Sequence, residues 1–404
     1  MQQIRFATAI PVFSRKRGGA ERYVADLCTR MAEEGYDVHV YTEHWDEAIE
    51  GIHYHPIKTI SLPKSLRLLT FALRATKEIE KNKYDITLGV GNTLRADILQ
   101  PHGGVHWAWF WKSLRAYDHP LLWMVKFLGR VFSPKQWVQG YIESAPYKTD
   151  HFHKIIAISE MVKEDLIRWY EIPEDRIEVV YNGVDTERFH PRNRRYREEI
   201  RNRHHIGGEI VILFVSNNFR MKGLGCLMKA LAGIKVENPP AFKLLVLGRG
   251  REAPFLRLAR RIGISDEIVF AGPTHEPEKY YGAADFFVHP AFYDAFSLTV
   301  LEALASGLPV IATSTTGASG ILNHGAEGFV VSQTRDLEPM KMAIRYFLNE
   351  NARHRASSLG RMKAEEHSDK ANFDEIDRIF RETMRTYLPK GNESEVNQNV
   401  QTKD

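Results

Sequence analysis

Short apolar runs alternate with helix-like segments along this chain, and they do so in two successive blocks. In the first block, an apolar run over residues 4–13 leads through a glycine-containing turn to residues 21–35, whose apolar side chains recur at helical spacing. In the second block, EIVILFVS and KLLVLG are each followed by a helical pattern. Because strands separated by helices pair in parallel, we predict two doubly wound, Rossmann-like α/β domains that face each other across a cleft.

A densely charged segment, residues 191–205, separates the two blocks and is the predicted domain boundary. We therefore expect an N-terminal domain over residues 1–190 and a C-terminal domain over residues 191–372. A final helix, residues 373–388, is predicted to cross back to the first domain. The polar residues 389–404 are predicted to be disordered.

Composition excludes several classes of protein. A formal net charge of +4 over 404 residues is too small to indicate a nucleic-acid partner. Cys28 and Cys226 belong to no zinc-ligand pattern, so no metal site is expected. The N-terminal sequence lacks the order of a secretory signal, and no run approaches the roughly 18–20 apolar residues of a membrane span. We expect a cytoplasmic protein whose membrane contact, if present, is peripheral.

Two loops offer groups that bind anions. Gly18 and Gly19 lie between the first strand and the first helix, where backbone amides can approach a phosphate; a plain tight turn is the alternative. Arg220 and Lys222 follow the first strand of the second block and precede a helix. Two cations at this position suit a departing diphosphate, although a solvated basic loop would have the same composition.

The segment from His289 to Gly320 has the highest density of candidate residues. Asp294 lies just before a predicted helix, and Glu302 is predicted about two turns inside it. Ser297, Leu298 and Thr299 would form the first turn, whose unpaired amides make a phosphate site. A charged Glu302 between Leu301 and Ala303 requires a partner or a function, because apolar neighbours indicate burial.

This segment resembles the signature of the retaining family 4 glycosyltransferases, which have the GT-B fold. Their pattern is an acidic residue, seven residues, a glutamate and then A-x-A-x-G-x-P-V. Here it reads Asp294, AFSLTVL, Glu302 and ALASGLPV, with the shorter aspartate where glutamate is usual. The stretches GGAER, ISEMVKEDL, VVYNGVD, NNFRMKG and VLGRG are also similar to the family.

The resemblance implies that the N-terminal domain, residues 1–190, binds the acceptor and that the C-terminal domain, residues 191–372, binds the nucleotide sugar. It also implies roles at the matching positions. Glu302 would bind the nucleotide ribose, and Asp294 would bind hydroxyls of the donor sugar. The diphosphate would be bound by Arg220, Lys222 and the amides of residues 297–299. The resemblance also implies that the leaving phosphate accepts the acceptor's proton and that neither a metal ion nor a cofactor is needed.

Further positions are implied by the same likeness. Gly18 and Gly19 would meet the donor phosphates or the acceptor, and Gly248, Arg249 and His275 would lie near the base. His102, at the end of a first-domain strand, would lie beside the donor sugar; a hydrogen-bonded loop histidine is the alternative.

Residues 105–147 hold five of the seven tryptophans, interleaved with lysine and arginine. Such a mixture is typical of a helix at an anionic membrane interface. The alternative is that these aromatic side chains pack helices onto the first sheet, or that some pack and some line an acceptor groove.

Within the family, the chain is most similar to the glucosyltransferases of the lipopolysaccharide core. The resulting hypothesis is transfer of glucose from UDP-glucose to a lipid-linked saccharide such as core heptose. A GDP-mannose-dependent mannosyltransferase and a non-catalytic nucleotide-sugar-binding scaffold remain alternatives. A sugar-nucleotide epimerase or a glycan phosphorylase would share the clefts but not this motif set.

Overall fold

The structure is a computed structural model that describes residues 3–16 and 18–387. It confirms the two-domain GT-B architecture, with one parallel sheet in each domain and helices on both sheet faces. The predicted disordered tail, residues 389–404, lies outside the described residues.

The first domain begins with an apolar strand and is built mainly around a parallel sheet. Its elements are β1 (Arg5–Ala9), β2 (Val12–Phe13), α1 (Gly19–Glu33), β3 (Asp37–Thr42), β4 (His44–Trp45), β5 (Ile52–Pro56), α2 (Lys64–Lys81), β6 (Ile86–Gly89), β7 (Ile98–Leu99), α3 (His106–Leu114), α4 (Pro120–Val131), α5 (Pro134–Thr149), β8 (Lys154–Ala157), α6 (Glu160–Tyr170) and β9 (Ile177–Val179). The sheet has the order β5-β3-β1-β6-β7-β8-β9, and β2 pairs with β4 beside it.

The second domain repeats this plan after the charged boundary, where residues 191–196 form a short 3-10 helix. Its elements are α7 (Arg197–Arg203), β10 (Ile210–Val215), α8 (Leu224–Lys235), β11 (Phe242–Leu247), α9 (Ala253–Ile262), β12 (Ile268–Gly272), α10 (Pro277–Ala283), β13 (Phe286–His289), α11 (Leu298–Ala305), β14 (Val310–Thr313), β15 (Gly328–Val331), α12 (Leu337–Leu348) and α13 (Glu350–Glu366). The sheet has the order β12-β11-β10-β13-β14-β15.

The last helix, α14 (Asp369–Tyr387), packs on the first domain. The ring of its Phe380 stacks on Phe6 of β1, with the ring centroids 5.7 Å apart. This helix begins four residues before residue 373, where the sequence pattern predicted its start. It returns the chain to the first domain and closes one side of the cleft.

Each sheet is buried because both of its faces carry apolar side chains. In β10, Val211, Ile212, Leu213 and Phe214 are all fully buried, and they divide between the cores on the two faces of the sheet. Continuous apolar runs of this kind are typical of parallel strands covered by helices on both sides. The strand ends that face the cleft therefore belong to a sheet whose two faces are both packed against an apolar core.

Candidate active site

A tight turn between β13 and α11 forms the centre of the candidate site. Asp294 pairs with Thr316 in an isolated parallel bridge, which fixes the backbone of this turn against the segment after β14. Ser297 then takes a left-handed conformation, with φ of 82°, immediately before α11. The first amides of the helix have no partner within the helix and can therefore bind an anion.

Asp294 is held between a lysine and a histidine. Its Oδ2 lies 2.6 Å from Nζ of Lys222 and 2.9 Å from Nε2 of His289. Burial alone would raise the pKa of this carboxyl, but Lys222 and the His289 hydrogen bond hold it well below its usual range. Asp294 is therefore an ionised hydrogen-bond acceptor at neutral pH, a form that suits sugar hydroxyls.

Hydroxyl groups at the start of α11 extend this network. The Ser297 Oγ lies 3.2 Å from the His289 Nε2 and 2.9 Å from the Thr299 Oγ1. Burial lowers the pKa of His289, and so favours a neutral imidazole between the hydroxyl and the carboxylate. Lys222 is then the cation of this network.

Glu302 is the fifth residue of α11 and so lies in its second turn, not two full turns inside it as predicted, because the helix begins at Leu298. Its side chain is buried, and its Oε2 accepts a hydrogen bond of 2.9 Å from the Tyr281 hydroxyl. Arg22 Nη1 of the first domain lies 3.5 Å from Oε1. Burial raises the pKa of Glu302, while Arg22 and Tyr281 oppose that rise.

A cavity of about 670 Å³ opens between α1, α11 and α14. Its wall includes Arg22, Leu298 and Glu302 but, in the described part of the chain, neither Lys222 nor Asp294. Gly19 begins α1 on the opposite side of the cleft, where an added Cβ would lie 3.7 Å from Leu298 Cδ1. The Gly18–Gly19 turn and the start of α11 therefore face each other, so that an anion between them would contact both.

Arg220 and Lys222, which the sequence paired, point to different partners. Lys222 reaches Asp294, whereas the Arg220 guanidinium lies 5.3 Å from the ring centre of Tyr117, in the loop between α3 and α4. Arg220 also lines a separate cavity of about 210 Å³ at the junction of the domains. In this conformation the structure brings Lys222, but not Arg220, to the Asp294 network.

His102 lies at the carboxyl end of β7, against Tyr23 of α1, with ring centroids 4.0 Å apart. Burial lowers the pKa of His102 to about 3, so the imidazole is neutral. Its Nε2 atom has no hydrogen-bond partner among the described residues. Because Tyr23 lines the large cavity, the structure places His102 directly behind the wall of the cleft.

The predicted base-binding residues follow strands of the second sheet. Gly248 has φ of +118°, and an added Cβ would lie 2.1 Å from the Ser216 carbonyl oxygen, so this turn requires glycine. The Arg249 amide donates to Asn217 Oδ1 at 3.1 Å, and its side chain is exposed. His275 is exposed, and its carbonyl accepts a 3.1 Å hydrogen bond from Arg188.

The tryptophan-rich segment forms α3, α4 and α5 and divides its aromatic side chains between two environments. Trp107 and Trp109 are half-buried, whereas Trp111, Trp123 and Trp137 are exposed. None of the residues of α4 is buried by the described part of the chain. The packing prediction is therefore confirmed for most of α3, α4 is mainly presented to solvent, and the membrane interface stays a prediction.

Three residues of this site were not among the predicted site residues. Arg22, Tyr281 and His289 contact Glu302 or Asp294 from α1, α10 and the end of β13. Arg22 is the last residue of the GGAER stretch, and His289 is the first residue of the segment from His289 to Gly320, so both lay within stretches singled out in the sequence. Arg22 and Tyr281 are far from Glu302 along the chain, whereas His289 is five residues from Asp294.

Residues 3–16 and 18–387 contain no group of three or more His, Cys, Asp or Glu side chains arranged to hold a metal ion. No helix in this described part combines the length and apolarity needed to cross a bilayer.

Family models match both domains. The model described as Glycosyltransferase Family 4 matches residues 17–188, and that described as Glycosyl transferases group 1 matches residues 196–363. An uncharacterized glycosyltransferase of Methanocaldococcus jannaschii is 28% identical over 333 residues, which cover 78% of this chain and 81% of the relative.

The lipopolysaccharide glucosyltransferase WaaG of Escherichia coli is 23% identical over 362 residues, covering 84% of this chain and 91% of that protein. A crystal structure of WaaG aligns with a TM-score of 0.75 at 19% identity, over 93% of this chain and 99% of that chain. The Anabaena HepE structure in complex with UDP-glucose aligns with a TM-score of 0.67 at 17% identity, over 95% of this chain and 100% of that chain.

Proposed function

This chain belongs to the family 4 glycosyltransferases with the GT-B fold, and from that premise we propose that it transfers glucose from UDP-glucose to a lipid-linked saccharide. We further propose that transfer retains the anomeric configuration and requires no metal ion, and that a sugar of the lipopolysaccharide-core type, such as heptose, is the acceptor. The similarity to WaaG supports the choice of donor and acceptor.

The observation that carries this proposal is the arrangement of Lys222 and Asp294 at the start of α11, with Glu302 inside the same helix. A lysine and a helix N-terminus stabilise the negative charge that develops on a departing diphosphate. An ionised aspartate beside them accepts hydrogen bonds from sugar hydroxyls. A buried glutamate further along the helix suits the two hydroxyls of a ribose.

Retention is proposed from the resemblance to the retaining family 4 glycosyltransferases. Asp294 is already paired with Lys222 and has a lowered pKa, so it is a poor proton donor to a leaving group. Glycosidases need a second carboxyl group on the other side of the scissile bond, with a raised pKa in one of the two. In the proposed reaction, a phosphate oxygen of the leaving diphosphate takes the acceptor's proton on the face from which it departs.

The exposed apolar side chains of α4 support a membrane-bound acceptor. Leu121, Leu122, Trp123, Val125 and Leu128 are each at least 37% exposed. Lys126 lies within the same helix, so apolar and cationic groups occur together. Such a helix suits the interface of a bilayer that contains anionic lipid, and it would bring the cleft to the acceptor.

The test is product analysis by NMR after incubation with UDP-glucose, a heptose-bearing core oligosaccharide and EDTA. We expect UDP release together with a new glucoside that has the same α-anomeric configuration as the donor. A β-linked product would contradict retention, and loss of activity on EDTA treatment would contradict metal independence. Turnover with GDP-mannose and not with UDP-glucose would leave the fold and the site assignment unchanged, but it would make GDP-mannose the donor.

A further inference from the structure

A second set of polar side chains lies in the first domain, away from the Lys222–Asp294 network. A cavity of about 340 Å³ is enclosed by α2, α3, α5 and the loops that follow β6 and β7. A smaller cavity of about 130 Å³ adjoins it and shares Gly91, Gly103, Gly104, Ile142 and Glu143. The loops place both cavities at the carboxyl edge of the parallel sheet, where α/β domains bind ligands.

Glu143 stands between the two cavities. Its carboxylate accepts hydrogen bonds from the His106 amide, at 2.8 and 3.0 Å from the two oxygens. The Tyr170 hydroxyl donates a further bond of 2.7 Å to Oε1. Since each carboxylate oxygen has about two lone-pair sites, Oε1 is fully used by these bonds, whereas Oε2 retains capacity to accept one more from a ligand.

Three polar atoms around Glu143 are buried and have no hydrogen-bond partner within residues 3–16 and 18–387. They are Thr93 Oγ1, His106 Nε2 and Gln136 Oε1. Thr93 is 2% exposed and His106 is 9% exposed, so water does not readily replace the missing partners. Thr93 lines the smaller cavity, and His106 and Gln136 line the larger one. A buried polar atom without a partner costs about 1–3 kcal/mol, which a ligand hydroxyl would offset.

The cavity is adjacent to the turn that holds Asp294. Gly104 lines both cavities and packs directly on Tyr293, because an added Cβ at Gly104 would lie 2.0 Å from the Tyr293 hydroxyl. Gly104 has φ of +72°, so a side chain is disfavoured here on both grounds. A ligand in this cavity is therefore separated from the donor-sugar side by one backbone turn.

We propose that this cavity binds the saccharide unit of the acceptor, as an uncharged, hydroxyl-rich ring. The inference rests on the proposed function, because it assigns the acceptor subsite of the same transfer. Sugar hydroxyls both donate and accept, which matches a lining that mixes Glu143 with the amides of Asn92, Gln136 and Gln139. A phosphate is disfavoured, because Lys135 is the one lysine or arginine among the described residues that lines the cavity, and it lies at the exposed rim.

Saturation-transfer NMR with the full chain tests this assignment. The probes are methyl pyranosides of hexoses and heptoses and their phosphorylated forms, each measured with and without saturating UDP. We expect saturation of uncharged pyranosides that persists when UDP is present. Loss of the signal on addition of UDP would place the sugar in the donor site and overturn the inference. A preference for the phosphorylated probes, or the absence of any signal, would also overturn it.

Thr93→Val separates ligand binding from folding. Removal of a buried hydroxyl without a partner should leave thermal stability unchanged or raised, yet weaken pyranoside binding about threefold to tenfold. Glu143→Gln should weaken binding to a similar extent. Thr386→Val and Glu164→Gln are the matched controls on exposed helix faces. Unchanged pyranoside affinity in both cavity variants would overturn the inference.

Calorimetric titration of UDP is run on the same variants. UDP affinity should be unchanged in Thr93→Val and Glu143→Gln. If the wild-type chain fails to bind UDP, the proposed function fails, while sugar binding in this cavity is still measured in the samples without nucleotide. The two failures are thus distinguishable.

Discussion

The Nζ atom of Lys222 lies 2.6 Å from Oδ2 of Asp294, at the N-terminus of the helix that carries Glu302. If this lysine stabilises the leaving diphosphate, Lys222→Met should lower kcat about 10²- to 10³-fold. The effect on the dissociation constant of UDP-glucose should be smaller. Steady-state kinetics with product detection measures both, and Lys148→Met, an exposed change on α5, is the control. An unchanged kcat would remove Lys222 from the reacting centre.

Neutralising the buried Glu302 carboxylate should weaken the binding of UDP without impairing folding. Glu302→Gln keeps an acceptor for the Tyr281 hydroxyl but removes the charge that would bind two ribose hydroxyls. The loss of charge-assisted hydrogen bonds should weaken UDP binding by about 1.5–3 kcal/mol, or roughly ten- to a hundredfold. Calorimetric titration measures this, with Glu366→Gln on the exposed face of α13 as the control. Wild-type affinity in a stable Glu302→Gln protein would contradict the ribose assignment.

Glu143 predicts a pH-dependent difference in stability. Burial raises its pKa from the ordinary value of 4.5 to about 7 in the folded chain. Because the folded state holds this proton more tightly than the unfolded state, ionisation destabilises the fold. The cost is absent below about pH 4.5 and complete above about pH 7. In Glu143→Gln this cost is removed.

The free energy of unfolding of Glu143→Gln, relative to that of the wild-type chain, should therefore rise between pH 4.5 and 7. The rise should be on the order of 1–3 kcal/mol. Urea unfolding at a series of pH values measures it, and Glu164→Gln should show no such trend. A difference that is flat across this range, or that falls, would contradict the raised pKa.

The exposed face of α4 predicts binding to anionic vesicles. A double change, Leu122→Ser and Trp123→Ser, should weaken vesicle binding at least about tenfold, because it removes apolar area that would enter the interface. Folding should be unaffected, since neither side chain is buried. Leu359→Ser, at an exposed leucine on α13, is the control in the same co-sedimentation assay. Equal vesicle binding by the double variant and the wild-type chain would refute a membrane role for α4.

Much of the fold followed from local patterns. The continuous apolar runs of β10 and β11 and the helical spacing between them predicted the second sheet, because both faces of a parallel strand are covered. The order of the strands follows from the connections between neighbouring units. Glu302 was predicted about two turns inside the helix but lies in its second turn. The reason is that Ser297 adopts a left-handed conformation, so that α11 begins only at Leu298.

The site was predicted in part. Asp294 and Glu302 are eight residues apart, so their spacing placed Asp294 just before one helix and Glu302 inside it. Arg22 could not be assigned to Glu302, because this contact depends on how the two domains face each other across the cleft. The different directions of Arg220 and Lys222 depend on Tyr117, which lies in the loop between α3 and α4.

We propose that the chain has a metal-independent donor site for a uridine nucleotide. Thermal unfolding of the wild-type chain in EDTA tests this most directly, with UDP, UDP-glucose, GDP and GDP-mannose each added in turn. Saturating UDP and UDP-glucose should each raise Tm, since a ligand that binds the folded state stabilises it by about 2.7 kcal/mol at a hundredfold excess over Kd. The guanosine nucleotides should shift Tm less. An unchanged Tm with all four nucleotides would contradict the account.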